Sequence, residues 1–264
     1  MFRYEIEKIV KSKKYIIVFA AIFFLTIPDL ISNWYSVLYP GHFNGYEWVT
    51  NPCMASFLGN SSTGHIPQII VEWLLPIILL IIGCDSATVE KKLNCKNIYI
   101  ASFGRKKYYL AKLSASFIVP SVSIFMILFV NWIICLIVFK GGLTFASLER
   151  QITQESDPFL YFQFQHPFFI YFVYIIIFCL VVGVCAVMCQ CVSILTGDSK
   201  KTYLITFALW IFQFATSPYL PNAIQPFTET SLSDTIWGIA RCLGIALITF
   251  IVMCIVKREK NDEI

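Results

Sequence analysis

This 264-residue chain shows none of the motifs that commonly mark a catalytic site. The sequence contains no H-E-x-x-H, G-x-S-x-G or paired C-x-x-C motif. Its three histidines, His42, His65 and His166, fall in or beside predicted loops, so none is buried next to a nucleophile. Residues 197–202 read GDSKKT, which has the wrong spacing for a phosphate-binding loop. We therefore expect no catalytic residue, no directly bound cofactor and no enzymatic activity.

Cysteine is the other residue type with possible chemistry, and the chain has ten. Cys185 and Cys189 are four residues apart, so they share one face of a helix, and paired thiolates can bind copper or zinc. No His or Met stands beside them, and small residues such as cysteine suit helix packing in lipid. We expect no metal site, with heavy-metal export as an alternative. Cys53 is the lone cysteine of a predicted outside loop, which argues against a disulfide scaffold.

Four polar side chains interrupt the long apolar stretches: Glu72, Asn131, Gln190 and Arg241. A charge at membrane depth costs a few kcal/mol, so it usually has a partner. Glu72 and Arg241 lie at matched depths from the outer ends of their stretches and have opposite charges, so we predict an ion pair. In the alternative, Arg241 reaches the outer headgroups and Glu72 is neutral.

The longest strongly charged run is Asp85–Lys112, which reads DSATVEKKLNCKNIYIASFGRKKYYLAK. It holds seven of the chain's 20 Lys and Arg, and long apolar segments flank it on both sides. We interpret this run as a cytoplasmic loop between two membrane helices, at which a partner docks.

The composition explains why a bilayer is the expected environment. Hydrophobic residues make up 58% of the chain, charged residues 14%, and the mean hydropathy is +0.72. Soluble domains are usually about 45–50% apolar and about 25% charged. One soluble core of this size cannot bury so much apolar surface. The net charge of +4 then reports topology and not nucleic-acid binding.

The hydropathy pattern predicts an all-α integral membrane protein that forms a single transmembrane domain over residues 1–264. Apolar residues at helical spacing in residues 1–14 predict an amphipathic helix on the membrane surface, with its charges on the opposite side. A span needs roughly 20 residues to cross the bilayer. The six predicted spans are about 15–31, 66–84, 113–139, 167–195, 203–220 and 235–256.

The distribution of basic residues predicts the orientation. With the N-terminus inside, the inside segments hold 17 Lys and Arg and the outside segments hold two. The positive-inside rule then favours an N-in, C-in topology. Aromatic residues of the first outside loop are either a substrate contact or a belt at the membrane edge: Trp34, Tyr35, Tyr39, Tyr46 and Trp48.

The charged loop, taken with six spans, resembles the permease subunits of type 2 (ABC-2) ABC transporters. In that family an acidic residue follows the second span, a short helix comes next, and an Arg precedes a Lys that opens the third span. Glu90, Arg105 and Lys112 match that order. The sequence of the run, with Lys91 and Asn94 after Glu90, looks most like that of the permeases of lantibiotic and bacteriocin immunity or export systems. The family often has Gly where Leu93 stands here.

The resemblance implies that separate subunits bind ATP and form the membrane path. A coupling helix in the loop would dock on a separate ABC ATPase, which binds ATP and Mg²⁺. Two ATPases and a second permease, identical or related, would complete the assembly in a bacterial plasma membrane. The implied function is export of an amphipathic peptide or lipid-like substrate. The alternatives are a non-transporting membrane sensor or scaffold and a metal-ion exporter.

Overall fold

The computed structural model describes residues 1–28, 30–31, 50–59, 66–145 and 152–259. Within these ranges the chain is helical and contains no β-strand, apart from an isolated bridge between Thr50 and Thr144. The all-α prediction is therefore confirmed for the described part. The helices are α1 (Phe2–Val10), α2 (Lys13–Leu25), α3 (Pro52–Ala55), α4 (Ile66–Trp73), α5 (Leu75–Leu79), α6 (Ser86–Lys92), α7 (Lys96–Phe103), α8 (Arg105–Val138), α9 (Pro158–Gln165), α10 (Pro167–Thr196), α11 (Ser199–Ala215), α12 (Leu220–Ala223) and α13 (Leu232–Glu259).

Three of these helices are long and apolar enough to cross a membrane: α8, α10 and α13. A fourth crossing results if α4 and α5, with the π-helical turn Leu80–Cys84, count as one span bent by 63°. The helix α2 has 13 residues and α11 has 17, or about 20 and 26 Å at 1.5 Å per residue. Both are shorter than the roughly 30 Å of hydrocarbon in a bilayer. The three long apolar helices α8, α10 and α13 indicate a membrane protein.

The helix α10 is the centre of the bundle. More than half of its residues are buried, and it packs against α8, α11 and α13. Its sequence is apolar on all sides, as expected for a helix surrounded by others. It ends at Gly197, whose left-handed conformation (φ 58°) stops the helix. The side chain of Asp198 then accepts the backbone N–H of Lys201 and begins α11.

The long helix α8 begins earlier than predicted. It starts at Arg105, whereas the predicted span starts at residue 113, because Gly104 takes an extended positive-φ conformation (φ 81°) that ends α7. The segment Arg105–Lys112 is therefore the first two turns of α8 and not part of a loop. Its basic residues stand on a helix that continues directly into the apolar core.

Two segments that the predicted spans leave as loops are partly buried against the bundle. Residues 53–58 are almost fully enclosed, and Asn131 of α8 accepts the backbone N–H of Phe57 at 3.0 Å. Residues 220–227 also turn back into the bundle, where Phe227 packs against Phe145 and Phe164. The predicted fifth span (203–220) is marginal in length and contains Pro218 near its end, which favours a partly re-entrant course of residues 217–234, and the burial of this second segment fits that course. Hydropathy alone placed 53–58 outside because the segment is too short to be a span.

Candidate functional site

The predicted charged loop folds into α6, α7 and the start of α8, and two of its ionic residues meet. The Nζ of Lys112 lies 2.8 Å from Oε1 of Glu90. Both side chains are buried, with relative exposures of 1% and 2%. The sequence motif spaced these residues 22 positions apart, and the fold of α6 and α7 joins them into a buried ion pair.

Residues of α1 complete a network around this pair. Lys112 also donates to Oε2 of Glu5 at 3.2 Å, and Lys8 pairs with the same Oε1 of Glu90. The hydroxyl of Tyr108 donates to Oε2 of Glu90 at 2.7 Å. Two carboxylates and two ammonium groups thus balance each other, which offsets the cost of removing them from water. We call Glu5, Lys8, Glu90, Tyr108 and Lys112 the ionic cluster.

The surroundings of Glu90 and Lys8 favour their charged forms. Burial raises the pKa of the Glu90 carboxyl, but Lys112, Lys8 and Tyr108 outweigh it, so its pKa lies below the usual value. Burial lowers the pKa of the Lys8 ammonium, but the hydrogen bond to Glu90 and the negative charges of Glu90 and Glu5 together outweigh it, so its pKa is raised. Both groups are therefore ionised at neutral pH.

A line of polar contacts continues from the cluster to α10. Lys112 donates to Ser86 Oγ at 3.1 Å, and Ser86 in turn donates to Oε1 of Gln190 at 3.4 Å. Ser116 of α8 donates to the same oxygen at 3.3 Å. The amide nitrogen of Gln190 has no hydrogen-bond partner in the described part of the chain. Gln190, which the sequence marked as polar at membrane depth, thus connects the loop to the central helix.

In contrast to the buried ionic cluster, the helix α7 is exposed. None of its eight residues is buried, and the exposed fractions of Ile98 and Phe103 are 64% and 42%. It contacts α1 through a hydrogen bond between the hydroxyls of Tyr99 and Tyr4 (3.0 Å). The helix α7 thus presents apolar side chains that this chain covers only in part.

The other predicted loop residues have different positions. Lys91 and Arg105 are exposed, so they lie outside the ionic cluster. Asn94 is exposed and takes a left-handed conformation (φ 57°) between α6 and α7. Asparagine is one of the few residues that adopt this conformation readily. The structure therefore assigns Asn94 to the turn that orients α7.

The predicted ion pair between Glu72 and Arg241 is wrong. Oε1 of Glu72 accepts hydrogen bonds from Gln68 (2.9 Å) and Gln225 (2.9 Å), and Gln225 also donates to Oε2 at 3.1 Å. These partners are amides, and the carboxyl is 2% exposed. Matched depth along two spans did not imply contact, since α12 and its following residues intervene.

Arg241 instead caps the end of α11. Its guanidinium donates to the backbone carbonyls of Gln213 (2.8 Å), Thr216 (2.9 Å) and Pro218 (2.6 Å). The last carbonyls of a helix lack intrahelical partners, and here a side chain of α13 supplies them. Arg241 therefore has a structural role where α11 ends.

Cys185 and Cys189 are buried within the core. Across the described ranges, no three His, Cys, Asp or Glu side chains are grouped as a metal ion would require. His42, His65 and the aromatic residues between 34 and 48 lie outside the described residues.

The sequence analysis missed the contribution of α1, whose charges it assigned to the water side. Glu5 lies one turn before Ile9, and both are buried where α1 packs on α8. That shared face was the available signal, because an acidic residue on the apolar face of a helix requires a buried partner. The helix α1 also ends at Val10, so Lys13 and Lys14 belong to α2.

Comparison with known proteins finds sequence similarity to a protein of nearly the same length. No family model and no solved structure matches it. A protein of Bacillus subtilis (strain 168), described as uncharacterized protein YybM, is 30% identical over 255 residues. The match covers 97% of this chain and 96% of that protein. Because the similarity extends over nearly all of both proteins, the chain belongs to the same family as YybM.

Proposed function

We propose that this protein is the membrane-spanning subunit of an ATP-driven exporter of the ABC-2 type. In this proposal it crosses a bacterial plasma membrane six times, with both termini inside. The charged loop of α6 and α7 then lies in the cytoplasm and docks on a separate ABC ATPase. The sequence motif that resembles ABC-2 permeases supports this assignment.

One observation carries the proposal: the exposed helix α7 lies in the chain between Glu90 and Lys112, two residues of the buried ionic cluster. The helix α7 has no buried residue, while Glu90 before it and Lys112 after it are joined inside the protein. A helix that its own chain covers only in part gains stability by docking in a groove of a partner. Its exposed Ile98 and Phe103 supply the apolar contacts for that interface, and the surrounding lysines supply a polar rim.

The same contacts suggest how movement would pass into the membrane. Displacement of α7 by a partner acts on Glu90 and Lys112, which belong to α6 and α8. Since Glu5 and Lys8 hold α1 in the same cluster, α1 moves with them. Ser86 and Ser116 extend the connection to Gln190 of α10. The ATPase thus acts on several helices together as a bundle.

The other subunits and the substrate are proposed because the chain resembles ABC-2 permeases. Two ATPases would bind ATP and Mg²⁺, and a second permease copy or a related chain would complete the path. An amphipathic peptide or a lipid-like compound is the proposed substrate. Each of the buried polar side chains described above has at least one hydrogen-bond partner within the protein, which favours a substrate that moves along lipid over one that needs a water-filled pore.

Affinity purification from the native membrane in mild detergent tests the proposal. The tagged wild-type chain should retain an ABC ATPase, identified by mass spectrometry. Ile98→Glu should release it, because a charge then faces the apolar groove of the partner. Leu143→Glu is the matched control, since Leu143 is equally apolar, 80% exposed and located beyond the opposite end of α8.

The outcome also separates the alternatives. Retention by wild type and Leu143→Glu, with loss in Ile98→Glu, supports a docked ATPase. If the wild type retains no ATPase, the transporter assignment fails and a sensor or scaffold role becomes the better explanation.

A further inference from the structure

A groove lies at the junction of α1 and the start of α8. It has a volume of about 540 Å³ and is lined by Met1, Phe2, Lys107, Leu110, Ala111 and Ser114. Small-molecule sites commonly enclose about 300–1,000 Å³. The lining is mainly apolar, and its one charged side chain is that of Lys107.

The groove runs lengthwise along α8. Lys107, Leu110 and Ser114 recur at helical spacing, so they form a stripe on one face of that helix. The hydroxyl of Ser114 donates to the carbonyl of Leu110 at 2.7 Å, which leaves an apolar floor beyond the lysine. Phe2 and Leu110 are 42% and 69% exposed, so the groove is open along its side.

The length and charge of α8 indicate the level of the groove when this helix spans a bilayer. Its 34 residues extend about 51 Å, whereas the hydrocarbon layer is about 30 Å thick, so part of the helix extends beyond that layer. Because Arg105, Lys106 and Lys107 make its first turn basic, this end fits the headgroup region, with Leu110 and Ser114 successively closer to the acyl chains. Within the described part of the chain, Lys107 forms no ion pair that would occupy its charge.

We propose that this groove binds an anionic phospholipid, with its phosphate on Lys107 and an acyl chain along Phe2, Leu110 and Ser114. Charge complementarity and the polar-to-apolar gradient of the lining favour this occupant, because a phospholipid has the same gradient. A basic side chain near the surface attracts anionic lipid with an energy of about 1 kcal/mol, or about fivefold in affinity. This inference requires only that α8 spans the membrane.

Native mass spectrometry of the delipidated protein, titrated with phosphatidylglycerol or phosphatidylcholine, tests the site. The wild type should bind one phosphatidylglycerol more tightly than any phosphatidylcholine. Lys107→Ala should weaken that first binding step about fivefold. Lys106→Ala is the matched control, since Lys106 is an exposed neighbour on the same helix that does not line the groove.

A second variant tests the apolar part. Ser114→Trp fills the groove and should remove the tight step without changing the helical circular dichroism spectrum. Equal affinity for the two lipids would overturn the proposal. Equal weakening by Lys107→Ala and Lys106→Ala would also overturn it, because the effect would then be general surface charge.

Discussion

Lys112 is the residue on which the ionic cluster depends. Its ammonium contacts Glu90, Glu5 and Ser86 and is fully enclosed. Replacing it by the similarly shaped Met leaves two buried carboxylates without this partner. Loss of one member of a buried ion pair typically costs about 3–5 kcal/mol. We therefore predict that Lys112→Met markedly lowers the thermal unfolding temperature in detergent.

The matched control for that change is Lys106→Met, an exposed lysine two turns earlier on the same helix. It should leave the unfolding temperature nearly unchanged. Equal effects of the two variants would show that burial of Lys112 does not matter for stability.

Glu90 gives the cluster a predictable pH dependence. Its pKa in the folded protein is lower than in the unfolded chain, so the folded state binds the proton less readily. The contribution to stability is then complete above the ordinary Glu pKa of about 4.3 and is lost as the pH falls through the lower folded value. Unfolding measured against pH should therefore show a steeper acid loss in wild type than in Glu90→Gln. Parallel acid curves for the two proteins would contradict this assignment.

The sequence predicted the partners of some polar side chains correctly and those of others incorrectly. It singled out Glu90 and Lys112 because a motif relates their positions, and the structure pairs them. It joined Glu72 to Arg241 incorrectly, since equal depth does not specify which helices are neighbours. Glu5 was missed because its partner lies 107 positions away in the chain. Such pairings depend on helix packing, which hydropathy does not encode.

Among the elements, the turn between α6 and α7 determines where α7 points. Asn94 holds this turn in a left-handed conformation, which costs most other residues about 1–2 kcal/mol. Asn94→Val should destabilise the protein by about that amount, whereas Asn94→Gly should be neutral. Chemical unfolding of the two variants in detergent measures the difference. Identical stabilities would mean that this conformation is not required.

The helical elements themselves were largely predictable, because long apolar stretches have few alternatives to helix in a membrane. The junction of α10 and α11 appeared in the sequence as the turn GDSKKT, and Gly197 and Asp198 end and begin helices there. The burial of residues 53–58 was not predictable. It depends on a hydrogen bond to Asn131 on α8 and on packing against residues distant in sequence.

For the whole molecule, the proposed orientation places α7 and Leu143 on opposite sides of the membrane. Eight of the ten native thiols are buried, and replacing the other two, Cys95 and Cys254, by serine provides a low labelling background. In intact cells, a membrane-impermeant maleimide should label Leu143→Cys and should not label Asn97→Cys. Both sites should react after the membrane is permeabilised. Labelling of Asn97→Cys in intact cells would reverse the orientation.

Photo-crosslinking in native membranes tests whether α7 docks on an ABC ATPase. A photoreactive amino acid replaces Ile98 in one variant and Leu143 in the other, and crosslinked products are identified by mass spectrometry. We predict an ATPase adduct at position 98 and none at position 143. Crosslinks from position 98 to lipid alone would contradict it, because α7 would then rest on the membrane and not on a partner.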